Sequence, residues 1–124
     1  MASRNLTELT KFCEEQADGS LRLVFTYTEE SGEILYARED VREAHRESGF
    51  GPLHGAAWEI HNTVLANAPH IETMGDYRAT VHTFDEAFVV QFRESPERGV
   101  AISFDRDIGR NLHEFLLECE KYLR

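Results

Sequence analysis

Six histidines in 124 residues raise the question of a metal site. His54 and His61 are seven positions apart, so on a helix they lie on the same side, two turns from each other. Two turns span about 10.5 Å, whereas zinc–nitrogen bonds are about 2.1 Å long, so one ion does not reach both side chains. A ligand cluster with the flanking His45 and His70 is the less favoured alternative. We expect packed or solvated histidines, with no metal and no cofactor.

Neither cysteine has the setting of a catalytic nucleophile. Cys13 and Cys119 each lie in an apolar helical pattern, and free cysteine is among the most buried residue types, so we expect two buried thiols. His113 is six residues before Cys119 and lies off the same helical face, which argues against a Cys-His pair. No serine lies in a GxSxG motif, and the carboxylates are too numerous to single out a catalytic pair. We therefore expect no catalytic residues and no enzyme activity.

Two further patterns could bind an anion. Arginines recur every four residues around two glutamates: Arg38, Arg42 and Arg46 with Glu39 and Glu43. This mixed face either pairs internally or grips an anionic ligand, and internal pairing is the favoured interpretation. The segment Gly49–Pro52 precedes a helix, but it lacks the lysine and the spacing of a phosphate-binding loop. We interpret it as a hinge between two helices.

The charge balance of the chain is unusual. Twenty-three acidic residues stand against eleven arginines and two lysines, which gives a net charge of -10. Such a surface repels itself at ordinary salt, but at roughly 1 M salt the Debye length falls to about 3 Å and the repulsion is screened. Scarce lysine with abundant acid is typical of proteins from salt-accumulating archaea. We expect a halophilic, archaeal protein, and nucleic acid is disfavoured as a partner because phosphates attract clustered basic residues.

No apolar stretch approaches the roughly 18 residues of a membrane span, and residues 1–5 contain no hydrophobic signal core. We therefore expect a cytoplasmic protein that has no membrane partner. The length suits one core, so residues 1–124 are predicted to form a single domain.

Hydrophobic periodicity predicts the elements that position these residues. Asn5 and Asp40 are the predicted caps of the first two helices, and Asp105 is the predicted cap of the last. The side chains of Leu21–Thr28 alternate in the way expected for a strand with one buried face. The predicted elements are helix Asn5–Ala17, strands Leu21–Thr28 and Glu33–Arg38, helices Asp40–Arg46 and Leu53–Asn67, strands Asp76–Phe84, Ala87–Arg93 and Gly99–Phe104, and a helix from Asp105 to the end of the chain. Pro69 is expected to end the long helix, and Glu94–Arg98 is expected to be a mobile loop.

This succession predicts an α+β fold, a five-stranded antiparallel sheet with the order α-ββ-α-βββ-α and helices on both faces. The order resembles the roadblock and longin group of profilin-like folds. That resemblance implies association in pairs through the central helix and the adjacent sheet edge, as a platform for small GTPases or motor assemblies. The segments Phe25–Glu30, Ile34–Arg42 and Val81–Ala87 also resemble a group of small haloarchaeal domains of unknown function.

The predicted central helix is apolar on an unusually wide surface. It carries two adjacent apolar stripes and the only tryptophan of the chain. A helix that packs on a single sheet needs one apolar stripe, so this surface is wider than required. Where salt screens charge, lasting association depends on apolar burial. We therefore expect a non-enzymatic protein-interaction module, a homodimer or a docking partner of a larger assembly, whose interface comprises Leu53, His54, Ala57, Trp58, His61 and Leu65.

A small-molecule sensor is the alternative function, because profilin-like folds neighbour PAS and GAF domains. This alternative predicts a cavity between the sheet and the central helix, lined by Trp58, Tyr77 and Phe88.

Overall fold

The computed structural model describes residues 4–67 and 72–122. Its helices and strands are α1 (Arg4–Ala17), β1 (Leu21–Tyr27), β2 (Gly32–Ala37), α2 (Glu39–Ala44), α3 (Gly51–Asn67), β3 (Ala79–Thr83), β4 (Ala87–Ser95), β5 (Arg98–Asp105) and α4 (Arg110–Lys121), with short 3-10 turns at Glu72–Met74 and Arg106–Gly109. The strands form one antiparallel sheet in the order β2-β1-β5-β4-β3. The α+β fold and its element order are confirmed. Within the described ranges, no helix combines the length and apolarity needed to cross a membrane.

Helices lie on both faces of the sheet. On one side, which we call the α1 face, Leu6, Cys13 and Ala17 of α1 pack on Val24 and Ile102. On the other side, the α3 face, α2 and α3 contribute Val41 and Ala57 to a cluster with Leu23, Phe25 and Tyr27. α1, α2 and α3 each bury apolar residues against the sheet, which provides two surfaces for them.

Strand β1 is buried on both faces, whereas its alternation predicted one. Every residue of β1 except Arg22 is buried. Its pairing with β5 shifts between Leu21 and Leu23, so Arg22 lies in a bulge. Because a bulge redirects the side chains that flank it, Leu21 joins the cluster on the α1 face while Leu23 joins the one on the α3 face.

The β4–β5 connection is shorter than predicted. β4 continues to Ser95 and β5 begins at Arg98, so Pro96 and Glu97 form a two-residue turn in place of the expected long loop. The ladder reaches the pair Ser95–Arg98 through a register shift after Arg93. The bulge extends the pairing because it absorbs one extra residue of β4.

The predicted helix caps are wrong. α1 begins at Arg4, so Asn5 lies inside the helix. Arg38 precedes α2 and Asp105 precedes the turn Arg106–Gly109, and neither side chain makes a capping hydrogen bond. Asp105 instead accepts hydrogen bonds from Arg22 at 3.2 Å and from Arg38 at 2.7 Å. Two guanidinium groups hold this carboxylate more strongly than a backbone amide would. The expected helix stop at Pro69 lies outside the described residues.

Candidate functional site

Much of the predicted interface on α3 is already packed on the protein's own sheet. Ala57 and His61 are buried, and Leu53, His54 and Trp58 are half-buried. The ring of His61 stacks on Trp58, with centroids 5.0 Å apart, and its Nε2 lies 3.1 Å from the carbonyl oxygen of Pro96. Two of the six predicted residues are thus inaccessible to a partner here, because the sheet covers them. The side chain of Leu65 lies outside the described part.

His54 is likewise engaged within the chain, since its Nε2 lies 2.7 Å from the carbonyl oxygen of Thr28. The ring of His45 stacks on Phe50 with centroids 4.8 Å apart. Among the described residues, no group of three or more His, Cys, Asp or Glu side chains has the geometry to hold a metal ion. His70 falls outside those residues.

A buried polar network lies between α3 and the sheet. The side-chain amide nitrogen of Gln91 donates to the Tyr27 hydroxyl at 2.6 Å and to the Ala57 carbonyl at 2.8 Å. Its Oε1 lies 3.0 Å from His82 Nε2, which donates in the matching tautomer. Burial raises the pKa of Tyr27 to about 12, so its hydroxyl stays protonated and accepts from Gln91. The network connects α3 to β1, β4 and β3.

An apolar pocket of about 260 Å³ lies beside this network, between α2, α3 and the α3 face of the sheet. Its walls include Phe25, Val41, Leu53, Ile60 and Val89. Its polar lining is Arg22, His45, His82, Gln91 and Ser103. A mainly apolar cavity with a few convergent polar groups is the usual form of a small-molecule site.

The lining predicted for such a cavity was wrong, although a cavity is present. Trp58 stacks on His61 outside the lining. Tyr77 binds Thr80, with the two hydroxyl oxygens 2.6 Å apart. Phe88 packs on Phe104 on the α1 face, with ring centroids 5.4 Å apart. Strand alternation places Phe88 on the side opposite α3, and the side it occupies depends on the pairing register.

On the α1 face, the described residues cover the far half of the sheet only in part. Val81, Val90 and Phe92 share this face because Val81 pairs with Val90, Val90 with Ile102, and Phe92 with Val100. Val81 is 46% exposed and Phe92 is 39% exposed. We call these three residues the open strip. Large apolar side chains grouped on a surface mark an interaction site.

The last helix exposes an apolar surface of its own. Leu112 and Cys119 of α4 and Ile108 of the preceding turn are exposed. We call these three residues the α4 seam. The prediction of a buried Cys119 is therefore wrong, and among the described residues α4 makes its main contacts with the preceding turn. Cys13 is buried as expected, and burial raises the pKa of its thiol, which keeps it unreactive.

Of the arginine pattern, Arg38 forms the strongest ion pairs. It binds Asp40 at 2.7 Å through Nε and Asp105 at 2.7 Å through Nη1. These hydrogen bonds lower the pKa of Asp40 to about 2 and lower the pKa of Asp105 as well. Arg46 pairs with Glu43 at 3.3 Å. Internal pairing is therefore found for Arg38 and Arg46, although Arg38 pairs with two aspartates and not with Glu39 or Glu43.

Sequence reasoning missed Arg22, His82 and Gln91. A polar glutamine in the apolar run of β4, and an arginine in the apolar run of β1, were the available signals. Buried polar groups require partners, so a polar residue in a buried strand points to a network.

The family comparison covers nearly the whole chain. A family described as "Domain of unknown function (DUF7522)" matches residues 7–124. No curated protein matches the chain in sequence.

Proposed function

Since the chain belongs to this family of domains of unknown function, we propose a function from its own surfaces: a non-enzymatic protein-interaction module that forms a homodimer. In the dimer, the α4 seam of each copy covers the open strip of the other. The observation that carries the proposal is that one chain exposes both an apolar sheet surface and an apolar helix surface.

The two surfaces are complementary in kind. A sheet face is stabilised by a helix packed on it, and an amphipathic helix by an apolar surface under its seam. Each copy offers one of each, so a two-fold dimer covers all four surfaces and leaves no open contact for further growth. Each Å² of apolar surface removed from water contributes about 25 cal/mol.

The proposed salt-rich environment strengthens the argument for an apolar dimer contact. Eleven arginines and two lysines against 23 carboxylates support a halophilic, haloarchaeal and cytoplasmic origin. In molar salt the Debye length is about 3 Å, so apolar burial rather than charge holds copies together. The α-ββ-α-βββ-α order supports a roadblock-like relationship, in which pairing of domains is common. The proposed contact nevertheless lies on the α1 face and not on α3, because Ala57 and His61 of α3 are buried.

Multi-angle light scattering after gel filtration in molar potassium chloride tests the dimer. Two matched pairs of variants locate the contact. Phe92→Glu lies in the open strip, and its control Phe84→Glu is more exposed, at 59%, and lines the pocket on the other face. Leu112→Glu lies on the α4 seam, and its control Leu117→Glu is equally exposed, at 46%, but lies about 140° around the helix.

The wild type and both controls are expected at twice the chain mass of 14.3 kDa, and Phe92→Glu and Leu112→Glu at the monomer mass. A monomeric wild type contradicts the proposal, because it means that α4 leaves the strip uncovered or folds onto its own sheet. Dimers in all four variants contradict the proposed contact.

A second candidate function, a small-molecule sensor of the PAS or GAF type, is favoured by the pocket between α3 and the sheet. The pocket and the open strip lie on opposite faces, so the two functions are compatible and separately testable.

A further inference from the structure

The pocket on the α3 face has a definite size. Its volume is about 260 Å³. An engineered protein cavity of about 150 Å³ binds benzene, so by proportion this pocket accommodates roughly ten non-hydrogen atoms. That size suits a small aromatic or branched molecule.

The charge of the lining is opposite in sign to that of the chain. The lining contains Arg22, His45 and His82, and none of the described residues that line it is an aspartate or a glutamate. The whole chain has 23 carboxylates and a net charge of -10. A pocket that avoids carboxylates in so acidic a protein, and has an arginine in its wall, favours an anionic group over a cationic one.

The polar groups of the pocket are held in position before any ligand binds. Arg22 lies in the β1 bulge, and its Nη1 binds Asp105 at 3.2 Å, which uses one of its five N–H donors. His82 is held by Gln91, whose amide is itself held by Tyr27 and Ala57. Preformed donors lower the entropy that a ligand must lose on binding.

We infer that this pocket binds a small carboxylate that has an apolar body and about ten non-hydrogen atoms in total. The carboxylate binds Arg22, with His45, His82 and Ser103 as neighbouring polar groups, and the apolar body lies against Phe25, Val41 and Val89. The inference names the ligand class of the sensor candidate, and it is independent of the homodimer.

Calorimetric titration of the full chain with phenylpropionate, and separately with phenylpropanol, tests the inference. The two probes have nearly the same size and differ in the anionic group. Molar potassium chloride makes the comparison stringent, because only charges in contact within the pocket escape screening. Amide chemical shifts in NMR locate the binding, with the largest changes expected at His82, Val89 and Ala101.

Two substitutions on α3 provide a matched pair. Ala56 is exposed and lines the pocket, so Ala56→Phe fills the pocket without disturbing the core. Ala66→Phe places the same side chain at an exposed position of the same helix outside the lining. Arg22→Gln removes the cation and keeps polar atoms at that position.

Phenylpropionate is expected to bind one per chain, about tenfold more tightly than phenylpropanol. Ala56→Phe abolishes binding, Ala66→Phe preserves it, and Arg22→Gln removes the preference for the acid. Equal affinity for the two probes in the wild type overturns the anionic assignment, even if Arg22→Gln does not fold. Failure of both probes to bind, or unchanged binding in Ala56→Phe, overturns the site, whatever the oligomeric state.

Discussion

The two halves of the sheet differ in how they are covered. Around β1 and β5, helices pack on both faces, and Val24 and Ile102 are almost completely buried. In β3 and β4, Val81 and Phe92 remain exposed on the α1 face. The strands of both halves alternate in similar ways along the sequence. The difference teaches that alternation predicts a strand, whereas the placement of helices decides how much of it is buried.

The largest expected effect lies in the covered half. A Cβ at Gly99 would overlap the ring of Tyr27, which is fully buried, so Gly99→Ala should lower the free energy of unfolding by about 3 kcal/mol. Urea unfolding at fixed protein concentration measures it. Gly55→Ala, where a Cβ meets nothing within 4 Å on an exposed helix, should instead stabilise by about 0.5–1 kcal/mol. Similar effects at both positions would contradict the close packing around Tyr27.

One substitution made in both halves compares them directly. Val24→Ala removes two methyl groups from a fully buried position, which should cost about 2 kcal/mol. Val81→Ala, in the open strip, should cost under about 0.5 kcal/mol in the monomeric Leu112→Glu background. Thermal and urea unfolding measure both. Equal costs in that background would show that the open strip is covered within one chain.

The buried network between the halves should show coupling. Gln91→Leu removes the donor to the Tyr27 hydroxyl and should cost about 2 kcal/mol, since a buried hydroxyl loses its partner. Tyr27→Phe removes that hydroxyl. The loss of unfolding free energy in the double variant should therefore be smaller than the sum of the two single losses. The expected difference is at least about 0.5 kcal/mol, the lower end of the range for residues in contact. Additive losses would contradict a shared hydrogen bond.

The smallest effect concerns Asp105. Its pKa is lowered chiefly by the hydrogen bond from Arg38 and further by Arg22, so the folded state binds this proton less readily than the unfolded state. The stabilisation is present above the unfolded pKa, about 3.8, and is lost as the pH falls through the lower folded value. Because the carboxylate is about one-third exposed, we expect its ion pairs to contribute under about 1 kcal/mol to the free energy of unfolding.

Asp105→Asn should therefore be less stable at pH 7 and lose less stability on acidification than the wild type. Denaturant unfolding between about pH 6 and pH 2 measures this. Asp76→Asn, at an exposed position, removes the same charge as a control. Parallel pH profiles for the wild type and Asp105→Asn would contradict the role of the ion pairs.

Local patterns were sufficient for the elements. The helices and strands were found near their predicted positions, β1 ending at Tyr27, one residue before the predicted Thr28, because periodicity of two or 3.6 is a property of the nearest neighbours in the chain. The α+β class and element order followed from the succession of those elements. Scarce lysine and a net charge of -10 are likewise readable from the chain itself.

Contacts between distant segments decided the rest. The bulge at Arg22 depends on the register with β5, Asp105 binds Arg22 and Arg38 instead of capping a helix, and the pocket requires α2, α3 and four strands together. Cys119 lies in an apolar helical pattern in the sequence, but its side chain is exposed to solvent in the structure. Periodicity shows which side of a helix or strand is apolar. The element that covers that side lies far along the chain, so only tertiary packing decides whether the side is buried or exposed.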